Sequence, residues 1–123
     1  MKIRVREMED VAVVTVEGNI MQEYVSVFRT RLDDLIERQK VKIVLQLADS
    51  SYISSLCLAV IVDAKNRTTA RGGDIRIACT NKLITNLLEI TNLHKKIDLY
   101  DTLDAALSSY GLETPVPSSS GEG

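Results

Sequence analysis

The chain has no tryptophan, one phenylalanine, one histidine and two cysteines among 123 residues. So few aromatic rings leave no stacking platform for single-stranded nucleic acid. With Lys and Arg scattered along a chain of net charge −2, the basic footprint of a phosphate-backbone binder is missing as well, so nucleic acid is not an expected partner. Cys57 and Cys79 lie far apart among apolar residues, which argues against a disulfide framework or a metal-binding pair. Both are predicted to be buried small hydrophobes, although Cys57 in the first turn of a helix also admits a redox-sensing role. His94 has no spaced metal ligand and no serine or cysteine nearby in sequence, and is expected to be exposed in a turn. No apolar run approaches the length of a bilayer, and the opening Met-Lys-Ile-Arg-Val-Arg has no signal-peptide core. A cytoplasmic protein with no membrane contact is expected. There is no phosphate-binding glycine loop and no dinucleotide fingerprint, so neither a cofactor, a metal nor an enzymatic activity is expected.

What is present suits one folded domain: 45% hydrophobic and 26% charged residues, enough for a single core. Alternation at Ile3 and Val5, the Glu9-Asp10 turn and the β-branched run Val11–Val16 predict two strands joined tightly. Gly18 ends the second. Val25, Phe28, Leu32, Leu35 and Ile36 then recur at helical spacing, with Arg29, Arg31, Asp33, Asp34, Glu37 and Arg38 on the wet face. Val41–Leu47 reads as a central strand buried on both sides, and Ala48–Ser54 as a polar loop. A second helix runs from Ser55 to about Arg71, apolar in its first half, and Gly72-Gly73 stops it. Ile75–Cys79 is a strand. A third helix carries Leu83, Ile84, Leu87, Leu88 and Ile90, with Thr80 or Asn81 as its cap. Ile97–Leu99 is a short strand, and Asp101 or Thr102 caps a last helix bearing Leu103, Ala106, Leu107 and Tyr110. The predicted class is α/β, in the order β-β-α-β-α-β-α-β-α: a mixed sheet packed against about four helices over residues 1–112. Residues 113–123, Pro- and Ser-rich with nothing to bury, are expected to form a disordered tail.

That order resembles the STAS domain, shared by anti-sigma-factor antagonists and the cytoplasmic tails of sulphate transporters. The resemblance covers roughly residues 2–110. It is carried by Val44-Leu45-Gln46-Leu47, by Arg71-Gly72-Gly73-Asp74-Ile75-Arg76-Ile77, by Leu88-Glu89-Ile90-Thr91-Asn92-Leu93 and by Asp98-Leu99-Tyr100-Asp101-Thr102-Leu103-Asp104-Ala105-Ala106-Leu107, in that order and spacing. The family signature Asp-Ser-Ser/Ala-Gly-Leu falls on Ser54-Ser55-Leu56-Cys57-Leu58. Ser55 occupies the place of the serine that the cognate anti-sigma kinase phosphorylates. Ser54 stands for the aspartate, Leu56 for the small residue and Cys57 for the glycine; Gln46 replaces an acidic residue and Asn92 a glycine.

The resemblance implies an anti-sigma-factor antagonist whose partners are an anti-sigma factor with serine kinase activity and a phosphatase that reverses the modification. A monomer or weak homodimer is expected. Ser54 and Ser55 can each be helix caps, and Ser54 is an alternative phosphate acceptor. The implied partner surface comprises Gly18, Asn19, Ile20, Met21 and Gln22 after the second strand, Ser54 and Ser55 at the start of the second helix, and Leu56, Asp63 and Asn66 along it. Ser50 and Ser51 read as turn residues close enough to belong to the same surface. Ile20 and Met21 suit either this interface or a hydrophobic staple under the first helix. A scaffold or oligomerisation module of the same fold, never phosphorylated, is the alternative.

Overall fold

The computed structural model describes residues 2–48 and 52–112. β1 (Lys2–Met8) and β2 (Val11–Glu17) form an antiparallel hairpin, and β3 (Lys42–Ala48), β4 (Asp74–Ala78) and β5 (Asp98–Tyr100) add in parallel to give the sheet order β1-β2-β3-β4-β5. Between the strands run α1 (Val25–Glu37), α2 (Ser55–Ala70) and α3 (Lys82–Ile90), and α4 (Leu103–Ser109) follows β5. The predicted order is therefore the observed one. Two short 3-10 turns, Gln22–Tyr24 and Leu93–Lys95, were not legible in the hydrophobic pattern, and exposed His94 lies in the second.

β3 sits at the centre of the sheet, which explains its near-continuous apolar sequence. Ile43, Leu45 and Leu47 face a core shared with Phe28, Leu32, Leu35 and Ile36 of α1, Cys57, Ile61 and Ala64 of α2, and Ile84 and Leu88 of α3. On the opposite face Val11, Val13, Val44 and Ala78 meet Ala106 and Leu107 of α4 and the following Leu112. Three helices thus cover one face and a two-turn helix covers part of the other.

The helix stops share one geometry. Beyond α2, Gly72 has φ +83°, its N–H donates to the Thr69 carbonyl at 3.2 Å and the Gly73 N–H to the Thr68 carbonyl at 2.8 Å, a Schellman motif. Gly73 is glycine for another reason: a Cβ there would lie 2.1 Å from the Val41 carbonyl oxygen. The α1 and α3 stops use Gln39 (φ 63°) and Asn92 (φ 62°) at the left-handed position. Behind α4, the half-buried Tyr110 hydroxyl lies 3.0 Å from the Ile43 carbonyl and 2.7 Å from that of Asp74, with Arg76 stacked 4.0 Å over its ring. Burial, more than the neighbouring Asp74, pushes this phenol's pKa well above its ordinary value, so it acts as a proton donor between two strands. Residues 113–123, the expected disordered tail, lie outside the described residues.

Candidate partner-binding site at the start of the second helix

The site is built where two loops meet at the carboxyl ends of β2 and β3. The Ile20 N–H donates to the Tyr52 carbonyl at 3.0 Å and the Ser54 N–H to the Ile20 carbonyl at 2.9 Å, forming an isolated parallel bridge between Ile20 and Ile53. Both side chains are fully buried. Gly18, at φ 90°, donates to the Ala48 carbonyl at 3.1 Å one step earlier. The loop after β2 is thereby fixed to the entry of α2, and the two present their side chains as one surface.

The two candidate serines have different surroundings. Ser54 is the N-cap of α2: it has extended backbone angles, is 4% exposed, and its Oγ accepts the Cys57 N–H at 3.2 Å. Ser55 is the first helical residue, exposed, and its hydroxyl bonds to no described residue. Outward from it, Leu56, Asp63 and Asn66 follow along the exposed side of α2, opposite the buried Cys57, Leu58, Ile61, Ala64 and Thr68. Asp63 lies 3.5 Å from Arg67, which also pairs with Asp33 of α1 at 2.5 Å. The hydrogen bond to Asp33, first of all, holds the Arg67 pKa above its usual value.

Asn19, Met21 and Gln22 are exposed as the partner-surface reading requires. Ile20 is not: at 0% exposure its side chain cannot meet a partner, and its role is the bridge and core contact just described. Ser50 and Ser51 lie outside the described residues. Met21 and Leu56 are two large apolar side chains left about half exposed, at 41% and 46%. They belong to neighbouring segments, because the Met21 carbonyl lies 3.9 Å from the buried Cys57 thiol. Tyr52, 47% exposed, belongs to the same loop junction. The sequence reading missed it, and an aromatic ring placed in an otherwise polar loop was the available signal.

The first turn of α2 carries the positive end of the helix dipole. Among the described residues no cluster of His, Cys, Asp or Glu could hold a metal ion. Cys57 and Cys79 are free and buried, and burial raises the Cys79 pKa, so that thiol stays protonated and weakly nucleophilic. No helix among the described residues is long and apolar enough to cross a membrane.

Comparison with known proteins gives a consistent result. A model of the STAS domain matches residues 2–106. A candidate anti-sigma factor antagonist of Thermotoga neapolitana is 30% identical over 101 residues, spanning 81% of this chain and 89% of that protein. The crystal structure of a candidate anti-sigma factor antagonist from Thermotoga maritima matches with a TM-score of 0.84 at 24% identity, over 89% of this chain and 95% of that one. The Bacillus cell-fate determinant SpoIIAA in its phosphorylated form shares the fold, with a TM-score of 0.71 at 12% identity over 89% and 99% of the two chains.

Proposed function

The chain belongs to the STAS domain family, and from that membership we propose that it works as an anti-sigma factor antagonist, by binding a partner rather than by catalysis. The observation that carries the proposal is the Ser55 hydroxyl: exposed, unpaired among the described residues, and set on a helix start that the Ile20–Ile53 bridge holds rigid beside Met21 and Leu56. In this reading the unmodified protein binds an anti-sigma factor with serine kinase activity and so frees a sigma factor. Asn19, Met21, Gln22, Leu56, Asp63 and Asn66 form the contact surface, with Ser50 and Ser51 next to it in the chain. The domain ends near residue 112, and the protein works in the cytoplasm as a monomer or weak homodimer.

Phosphate on Ser55 would add about −1.5 to −2 charges at the helix N-terminus, where backbone amides and the dipole accept an anion without unfolding the domain. A partner that must desolvate this surface would then lose several kcal/mol, on the order of 10²-fold or more in affinity. A phosphatase would restore binding. Ser54 is the poorer acceptor, because its oxygen is buried and already caps α2.

The test is intact-mass analysis after incubation with a candidate anti-sigma kinase and ATP. One added phosphate that disappears in Ser55→Ala and persists in Ser54→Ala supports the switch. No phosphate from a kinase that binds the protein tightly would leave a STAS binding module without the switch, which the replacement of the signature's aspartate and glycine by Ser54 and Cys57 allows.

A further inference from the structure

The chain is acidic overall, with net charge −2, yet one part of one sheet face is cationic. Among the described residues α4 and Leu112 cover Val11, Val13, Val44 and Ala78 on that face and leave the next row, Arg4, Thr15 and Gln46, open. Ile3 and Val5 turn toward the three-helix core, so strand alternation puts Lys2, Arg4 and Arg6 on the open side. The one carboxylate that alternation places among them on this stretch of β1 and β2, Glu17, is paired with Arg4. Glu7 and Asp10 of the same hairpin are engaged elsewhere, by Arg38 and Lys40 and by Lys42.

Arg4, Val5, Arg6, Thr15 and Gln46 line a groove of about 430 Å³. On its half-buried floor the Thr15 hydroxyl donates to Gln46 Oε1 at 3.0 Å. That uses the amide oxygen and leaves both Gln46 Nε2 hydrogens unpaired among the described residues. Arg6 likewise has no ion-pair or hydrogen-bond partner among them. The side chains therefore offer a planar amide donor and a free guanidinium fork, while the nearby carboxylate is already occupied. We infer that this groove is an anion site for a small metabolite bearing a phosphate or carboxylate group, with Arg6 gripping two oxygens, Gln46 donating to one from the floor and Arg4 contributing from the rim. Forked donors match the geometry of both groups, and charge-assisted bonds of this kind are the stronger class. The site is separate from the proposed partner surface and does not depend on it.

The experiment is a pair of ¹H–¹⁵N titrations of the full chain, with inorganic phosphate and with succinate, at ionic strength held constant with sodium chloride. Saturable shifts are expected at the Gln46 side-chain amide and at the backbone amides of Arg4, Arg6 and Thr15. Arg6→Gln is expected to weaken that binding by about tenfold or more. Arg4→Gln should weaken it too, and Arg31→Gln, an exposed cation on α1, should not. Saturation with phosphate alone assigns a phosphate-bearing ligand, and saturation with succinate alone a carboxylate. Because Arg4 and Arg6 are exposed, the remaining spectrum of each variant should be unchanged, confirming that it folds. Shifts that rise linearly, or that persist undiminished in both Arg6→Gln and Arg4→Gln, would reduce the groove to a screened patch of surface charge and overturn the proposal.

Discussion

Replacing Ser54 by alanine should destabilise the domain, whereas replacing Ser55 should not. The Ser54 oxygen accepts the Cys57 N–H at 3.2 Å in a place only 4% exposed, so after its removal no water readily takes over the amide. Loss of an N-cap costs about 1 kcal/mol, and a buried unpaired donor raises that toward about 2 kcal/mol. For a domain of this size the expected fall in melting temperature is about 4–8 °C. Ser55 has no bond to lose among the described residues, and its alanine variant should stay within about 0.5 kcal/mol of the parent. Urea unfolding followed by circular dichroism measures both: the midpoint should drop for Ser54→Ala at unchanged slope and stay in place for Ser55→Ala. Ser54→Asp, which keeps an N-cap acceptor, should recover most of the loss. Equal effects from the two alanine variants would refute the assignment of separate structural and signalling serines.

Gln39, in the left-handed conformation at φ 63°, should be improved by glycine; Gln39→Gly is expected to raise the urea midpoint by an amount equivalent to about 1 kcal/mol. Gly73→Ala should do the opposite and more severely, by about 3 kcal/mol or more, since its Cβ would collide with the Val41 carbonyl at 2.1 Å. Tyr110→Phe removes the hydroxyl that reaches the Ile43 and Asp74 carbonyls and should cost about 1–2 kcal/mol, with faster amide exchange in α4 as the local sign. The Glu7 pKa is lowered from 4.5, chiefly by its hydrogen bond with Lys40 and then with Arg38, and that of Asp10 from 3.8 by Lys42. A lowered carboxylate pKa gives stability that is complete above the unfolded value and lost as pH falls through the folded one. Melting temperature should therefore decline below about pH 4.5, with a shallower decline in Glu7→Gln and at high salt.

Element order, the stops at Gly18 and Gly72, and the burial of β3 were readable from the chain because each is local: side-chain periodicity and the conformational freedom of a residue are set within a few positions. Asn81 and Thr102 were likewise legible as caps, each accepting an N–H of its own first turn, from Leu83 and Ala105. Local chemistry still left two candidates at each of those starts, and at α2 it left Ser54 and Ser55 equivalent. Only the packed fold separates the two serines: Ser54 turns inward because its backbone is bonded to Ile20, 34 positions earlier in the chain, and Ser55 is left outside.

The same contact decided against Ile20 as a partner residue. An apolar side chain in a turn looks identical in sequence whether it caps a core or waits for a partner, and its burial depends on a segment across the sheet. Tertiary structure also set which face each helix covers, since periodicity gives a helix an apolar side but not a destination. Among the described residues short α4 is the one helix on its face and leaves the Arg4–Thr15–Gln46 row open, although each of these residues reads by itself as an ordinary polar strand position. Sequence alone thus determined the parts and their order, through interactions between near neighbours. What each exposed group is free to do was decided by contacts between residues distant in the chain, which exist only once the sheet has closed and the helices have taken their faces.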